Sequence, residues 1–422
     1  MKWAIKGNIV YAKNSSELTI VENGLIVCDD DKIIGVFEKL PEKFGGIKIT
    51  DYGDKLIMPG FSDLHVHAPQ YKFRGSGMDL ELLDWLEKFT FPEEAKFKDL
   101  NYAKKVYSKF VDDLRKSSTT RASIFATIHI ETTVELMDLL EESGLVTYVG
   151  KVNMNRNCPD ILTERDAETS IKNTVEWLER IDGQYKNTNP IITPRFVPSC
   201  DGKLLNMLGD ISTSYNLPNQ SHLSENPNEI AFVREYEPKS KFYGDAYYMH
   251  NLFGGKNRTI MAHCVYSSDD EIELMKNQGV YVAHCPASNT NLSSGIAPVR
   301  RYLDRGLNIG LGSDIAGGHS LSIFRAMADA IQVSKLRWRL QDDSLKPLKV
   351  SEAFYMATKG GGPFFGKVGS FEENYEMDAI VVDDTVLNNL DTYSIENRLE
   401  RVIYLDNEIN LVSKYVKGKK TF

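Results

Sequence analysis

Eight apolar segments of strand length recur through the middle of this 422-residue chain, and helical stretches separate nearly all of them. They are Leu56–Val66, Ala122–Ile128, Val146–Val152, Ile191–Val197, Leu217–His222, Thr259–His263, Val280–His284 and Leu307–Leu311. One intervening stretch puts Ile171, Val175 and Leu178 on a single helical face, with Lys172, Glu176 and Glu179 elsewhere. Another runs from Val134 to Glu142 and stops at Gly144, a residue suited to the left-handed position after a helix. Strand alternating with helix over about 300 residues predicts an α/β fold of the (β/α)8 barrel kind. A doubly wound open sheet is the structural rival. The strand ends tip the choice: nearly all carry His, Asp, Glu, Arg or Asn, and a barrel gathers such ends at one mouth.

The two chain ends have a different texture. Trp3–Val10, Leu18–Val21, Leu25–Cys28 and Ile33–Phe37 read as short strands, with turn signals at Glu22-Asn23-Gly24 and Asp29-Asp30-Asp31. Ala379–Val382, Arg401–Leu405 and Leu411–Val416 repeat the pattern. The expectation is a small β-sandwich domain built from both termini, 1–58 plus 368–422, beside a barrel over 59–367.

Composition narrows the partners. A formal net charge of −9 argues against nucleic-acid binding through bulk electrostatics. The one short basic cluster, Lys417 to Lys420, reads as a solvated tail. No apolar run is long enough to cross a bilayer, so no membrane partner is expected. Met1 to Ala12 is broken by Lys2, Lys6, Gly7 and Asn8 and lacks a signal peptide's apolar core. A cytoplasmic protein is the expectation. Cys28, Cys158, Cys200, Cys264 and Cys285 form no C-x-x-C pair and are expected to be free and buried.

The sharpest local signal is Pro59-Gly60-Phe61-Ser62-Asp63-Leu64-His65-Val66-His67. Residues i and i+2 of a strand share a face, so His65 and His67 can point together into a barrel mouth. Two imidazoles at that spacing can ligate one ion of zinc, iron or nickel. H-x-H alone is weak, but other strand ends add His222 with Glu225, His263, and Asp314 after Gly312-Ser313. Of the eight histidines, five sit at or just before such ends: His65, His67, His222, His263 and His284. Three histidines and a carboxylate leave a metal one open position, as catalytic sites do. The ion would lower the pKa of a water towards ~7. Asp314 can take that water's proton, Glu225 can shuttle a proton to a substrate, and His263 can hydrogen-bond the attacking oxygen. The bland alternatives are a helix cap for Asp314, a surface pair for Glu225 and a satisfied rim residue for His263. His284 reads as a satisfied rim histidine and His129 as a hydrogen-bonded loop residue.

These motifs resemble those of the amidohydrolase superfamily over essentially the whole chain. The likeness includes Ala357-Thr358-Lys359-Gly360-Gly361 and Asp378-Ala379-Ile380-Val381-Val382 near the end. It implies His65, His67, His222 and Asp314 as metal ligands. Binuclear relatives use a modified Lys on strand four, and Ile191–Cys200 has none, which favours one metal. Zinc is what the resemblance implies; the ligands also suit iron.

Within the superfamily the chain is similar to the barrel-type guanine deaminases. The stretches that carry this are His67-Ala68-Pro69-Gln70-Tyr71, Asp79 to Leu86 with Thr90-Phe91-Pro92, Thr193-Pro194-Arg195-Phe196, His222-Leu223-Ser224-Glu225-Asn226, and Gly312 to Gly318. The likeness implies a purine substrate, guanine, deaminated to xanthine, and a homodimer. Gln70 offers donor and acceptor from one side chain, Arg195 a donor fork and Phe196 an aromatic face. With His67 and Glu225 they are the expected substrate contacts. Alternatives are a deaminase or hydrolase of another aminated heterocycle (cytosine, an adenosine derivative, a triazine) and a non-catalytic scaffold. The loop Ser288–Pro298, rich in Asn, Ser and Gly, is expected to border or close the site.

Overall fold

In the computed structural model, which describes residues 1–388 and 391–422, eight parallel strands form one sheet. In chain order they are Phe61–His67, Thr119–Phe125, Val146–Gly150, Thr188–Pro190, Asn219–Leu223, Thr259–His263, Tyr281–His284 and Asn308–Leu311. They are numbered one to eight below. Each pairs with its chain neighbour, and strand eight returns to strand one. The remaining gap is spanned by a parallel bridge from Ile192 to Asn219, which gives the closed connectivity of a barrel. Every residue of strands one and two is buried, as expected where helices cover a parallel sheet. Polar residues inside satisfy one another: Ser123 donates to Gln220 Oε1 at 2.7 Å, and Gln220 Nε2 donates to Thr193 Oγ1 at 3.0 Å.

The outer helices follow the apolar period. Leu100–Lys116 buries Ala103, Val106, Tyr107, Phe110, Val111 and Leu114, and Asp99 caps its start by accepting from Asn101 N and Tyr102 N, an arrangement worth about 1 kcal/mol. Ile130–Ser143 ends at Gly144 with φ +75°. The helix around Ile171 spans Ala167–Ile181.

The termini do join, in a single seven-stranded sheet. Lys48–Pro59 is central, with Ala379–Asp383 on one side and Lys2–Ala12 on the other. A sandwich of two separate sheets is not what the described strands form. Three further expectations change. Leu18–Val21 and Leu25–Cys28 are one strand, Leu18–Asp29, because Asn23 takes φ +50° opposite a register shift at Gly7/Ile9 and so bends the pair without breaking it. Arg401–Leu405 lies mostly in a helix, Ile395–Tyr404, which buries Ile395, Leu399, Val402 and Ile403 at helical spacing. Leu56–Val66 is cut at Gly60: the part before it joins the terminal sheet and the part after it is barrel strand one. A Cβ on Gly60 would fall 2.2 Å from Thr120 Cγ2, so only glycine allows that approach.

Buried charges join sheet to barrel. Arg121 on strand two donates to Asp378 Oδ2 at 2.6 Å and Oδ1 at 2.8 Å, and to Glu376 Oε2 at 2.8 Å. Lys414 Nζ donates to the carbonyls of Ser117 and Thr119 at 2.8 and 2.9 Å. All five cysteines are free; four are buried, while Cys158 is half-buried because it lies in the loop before Pro159. Among the described residues no helix is long and apolar enough to cross a membrane.

Candidate active site

Strand one presents His65 and His67 to the barrel mouth, their Nε2 atoms 3.2 Å apart. Asp63 fixes that strand against the loop after strand eight. It accepts from His65 N at 3.2 Å, Ser313 N at 3.0 Å and Ser313 Oγ at 2.5 Å. Asp314 follows, its amide donating to the His65 carbonyl at 2.8 Å. Asp314 Oδ1 then lies 3.2 Å from His65 Nε2 and 3.5 Å from His67 Nε2. His222, from strand five, places its Nε2 3.3 Å from that of His67. His222 Nδ1 donates to the Arg195 carbonyl at 2.6 Å, which leaves the Nε2 lone pair facing the cluster.

Four groups from three strand ends thus converge, and three of them are imidazoles. Hydrogen bonds among themselves cannot satisfy them. Nδ1 of His65 and of His67 has no partner, so neither ring's tautomer is fixed from behind. Burial, followed by the neighbouring His65, holds His67 and His222 well below the ordinary histidine range, which favours neutral rings with a lone pair to give. Burial works against an ionised Asp314, but the adjacent histidines outweigh it and hold the carboxyl well below its usual range. Ligands tetrahedral about an ion at 2.0–2.1 Å stand about 3.3 Å from each other. The observed 3.2 to 3.5 Å separations within His65, His67 and Asp314, and between His67 and His222, are of that size.

Glu225 and His263 flank this cluster. His263 Nε2 is 3.4 Å from Glu225 Oε2 and 3.7 Å from Asp314 Oδ2. His263 Nδ1 contacts Asn289 Oδ1 at 2.8 Å, so this nitrogen carries the proton and donates. Burial, with the Asp314 charge added, pushes the Glu225 carboxyl up to about 8, while a 3.1 Å bond from Ser294 Oγ works the other way. Glu225 is therefore protonated at neutral pH and can donate. Asn289 lies in the short helix Pro286–Asn291 and Ser294 in the loop after it, so the stretch Ser288–Pro298 borders the site as expected, with its start helical. His263, Ser224 and Asp314 all take positive φ, at 73°, 47° and 45°. Such backbone is costly for these residue types and clusters at functional positions.

Beside the cluster, Gln70 follows strand one in a short 3-10 segment, Ala68–Phe73, and Arg195 and Phe196 follow the short strand Thr193–Pro194. All three line a cavity together with His67, His222, Glu225, His263 and Asp314. Of the candidate metal and substrate residues named from the sequence, all but His65 line this pocket; His65 is fully buried beside His67 and Asp314. Leu82, Trp85, Leu86 and Leu292 supply its apolar lining.

One secondary expectation fails: His284 is buried with neither ring nitrogen partnered. His129 is a hydrogen-bonded loop residue as expected, through its backbone, which donates to Thr127 Oγ1 and accepts from Thr133. Burial lowers the basicity of the two rings to about 3 and about 4. The residues missed are Asp63, Glu94, Asn289 and Ser294, which hold site residues from behind. Asp63 was adjacent to the motif and readable from it. Glu94 gave no signal, because its contact Arg195 lies 101 positions away.

A model of the amidohydrolase family matches residues 56–421. The chain belongs to the amidohydrolase family. It is 38% identical over 443 residues to the guanine deaminase of Dictyostelium discoideum, covering 98% of this chain and 97% of that protein. It is 31% identical over 428 residues to the guanine deaminase of Escherichia coli K12, covering 97% and 93%. A crystal structure of guanine deaminase from C. acetobutylicum, with guanine bound in its active site, superposes with a TM-score of 0.96 at 50% identity over 100% of both chains. The amidohydrolase match spans strand one to the terminal sheet, so it includes all four converging ligand candidates.

Proposed function

We propose that this amidohydrolase hydrolyses guanine to xanthine and ammonia. The observation that carries the reading is the convergence of His65, His67, His222 and Asp314 beside a protonated Glu225, in a pocket that Gln70, Arg195 and Phe196 also line. The whole-length likeness to guanine deaminases supports guanine over other aminated rings.

The four residues would hold one divalent ion, zinc in our reading with iron as the alternative. A bound ion there supplies acidification of water to a pKa near ~7. Asp314 is placed to take a proton from the attacking water, and its second oxygen faces His263. His263 Nε2, with its other nitrogen donating to Asn289, is placed to accept a hydrogen bond from the attacking water and, once protonated there, to steady charge on the incoming oxygen. Glu225 gives its proton to the ring nitrogen beside the reacting carbon and recovers one from the water. The new C–O bond forms at the carbon bearing the amino group, the C–N bond breaks, and the amine leaves as ammonia with one added proton. Gln70, Arg195 and Phe196 orient the ring, with His67 and Glu225 at its reacting edge. Leu82, Trp85 and Leu86 exclude water.

The reading extends to a barrel unit over 59–367 with the termini, 1–58 and 368–422, as its companion. It also extends to a cytoplasmic homodimer in purine breakdown; these parts rest on the resemblance to guanine deaminases. The test is ammonia release from guanine, cytosine, adenosine and an aminated triazine by the zinc-loaded chain. Guanine is expected to dominate. Turnover no higher than that of Glu225→Gln would overturn the assignment.

A further inference from the structure

Gln70 and Arg195 approach the pocket from different parts of the fold and meet at one carboxylate. Glu94 is fully buried, on the short helix Phe91–Glu94. Its Oε2 accepts from Arg195 Nη1 at 2.6 Å and its Oε1 from Gln70 Nε2 at 3.0 Å. At its other end, Gln70 Oε1 accepts from Ala316 N at 3.0 Å. The guanidinium carbon of Arg195 lies 5.3 Å from the centre of the Phe91 ring, so the same short helix holds that group by charge and by ring.

This arrangement removes an ambiguity that a glutamine otherwise has. An amide has similar shape either way round, with two donors on one end and two acceptor positions on the other. Here a carboxylate that only accepts faces one end, and a backbone N–H that only donates faces the other. Turning the amide over would oppose oxygen to oxygen and hydrogen to hydrogen, leaving two buried pairs unmade. Only one orientation survives. It leaves the pocket one N–H and one acceptor position from Gln70, and the unused N–H groups of Arg195.

We infer that Glu94 is a positioning residue that sets purine selectivity, by fixing the donor–acceptor polarity of Gln70 and the aim of Arg195. This rests on the guanine reading above and deepens it. Glu94 touches neither the metal ligands nor Glu225 in these contacts, so its effect falls on recognition and not on the chemical step.

The test is Glu94→Gln in the full metal-loaded chain. A glutamine there keeps the shape but offers one acceptor end and one donor end, so it cannot accept from both Arg195 and Gln70. Guanine is compared with 2-aminopurine, which lacks the exocyclic oxygen and the ring N–H beside it, through kcat/KM, or through Ki where it binds without turnover. The expected result is a fall of at least tenfold in the guanine preference, carried by KM, with kcat within about threefold and metal content unchanged. An unchanged preference, or equal loss on both compounds through kcat alone, overturns the proposal. If E94Q does not fold, the exchanged pair Gln70→Glu with Glu94→Gln restores a complementary contact. It is expected to keep the parent Tm yet lose the guanine preference; a retained preference overturns the proposal. A parent chain inactive on guanine would refute the function reading alone. The polarity is then judged by a crystal structure of E94Q, where the 3.0 Å contact from Ala316 N to residue 70 is expected to break and its persistence overturns the proposal.

Discussion

On the pocket wall built from strands one, five and eight, like faces like. Nε2 of His65, His67 and His222 and an oxygen of Asp314 crowd within 3.5 Å along their contacts. On the recognition wall donors meet acceptors: Arg195 Nη1 and Gln70 Nε2 on Glu94, and Ala316 N on Gln70, with other N–H groups of Arg195 left unused. A buried group of electron-pair donors that cannot satisfy one another is unfavourable unless a cation completes it. A complementary network is complete alone, and what it gives is fixed direction. In the proposed reading one wall would hold an ion and the other the ring.

The contrast breaks most visibly at the ligands. His222→Ala removes a converging atom and also the bond to the Arg195 carbonyl. Activity is expected to fall about 10⁴-fold with loss of bound metal, since without the ion no water is acidified; metal analysis beside an ammonia assay checks both. Glu225→Gln keeps the ligands and removes the proton carrier. Its expected cost is about 10³-fold in kcat, with metal retained.

Effects on the recognition wall are smaller and fall on binding. Arg195→Lys keeps a positive charge near Glu94 but loses the planar fork, and about 10- to 100-fold in kcat/KM is expected, mostly in KM. The smallest effect concerns Ser294. Because the raised Glu225 pKa of about 8 means the donating form dominates below that pH, kcat/KM of the parent is expected to decline as pH rises through about 8. Ser294 donates to the Glu225 carboxyl and so favours its ionised form. Ser294→Ala is expected to move the decline to higher pH, with a loss of about threefold at neutral pH; a pH–rate profile of both proteins tests the sign.

The two walls were not equally legible in the sequence. The metal wall was readable because strand geometry converts spacing into direction: His65 and His67 at i and i+2 must share a face, and the barrel brings His222 and Asp314 to the same mouth. The recognition wall was named residue by residue through family likeness, yet its organiser Glu94 stayed hidden. It sits after Phe91-Pro92-Glu93 in a run of short helical turns, and no local period links it to Gln70 or Arg195. Elsewhere the failures share a cause. Arg401–Leu405 looked like a strand because Val402 and Ile403 are β-branched, although the apolar spacing from Ile395 is helical once the window is long enough. Gly60 did not stand out within Leu56–Val66 because the reason for it, the methyl of Thr120, belongs to the next strand.

The most direct test of the account is anomalous diffraction from crystals of the purified chain at the zinc edge, with metal content measured on the same preparation. One ion per chain, within bonding distance of Nε2 of His65, His67 and His222 and of a carboxylate oxygen of Asp314, is the expected result. A fully active chain with no ion at that point, or with the ion bound by other residues, would contradict it.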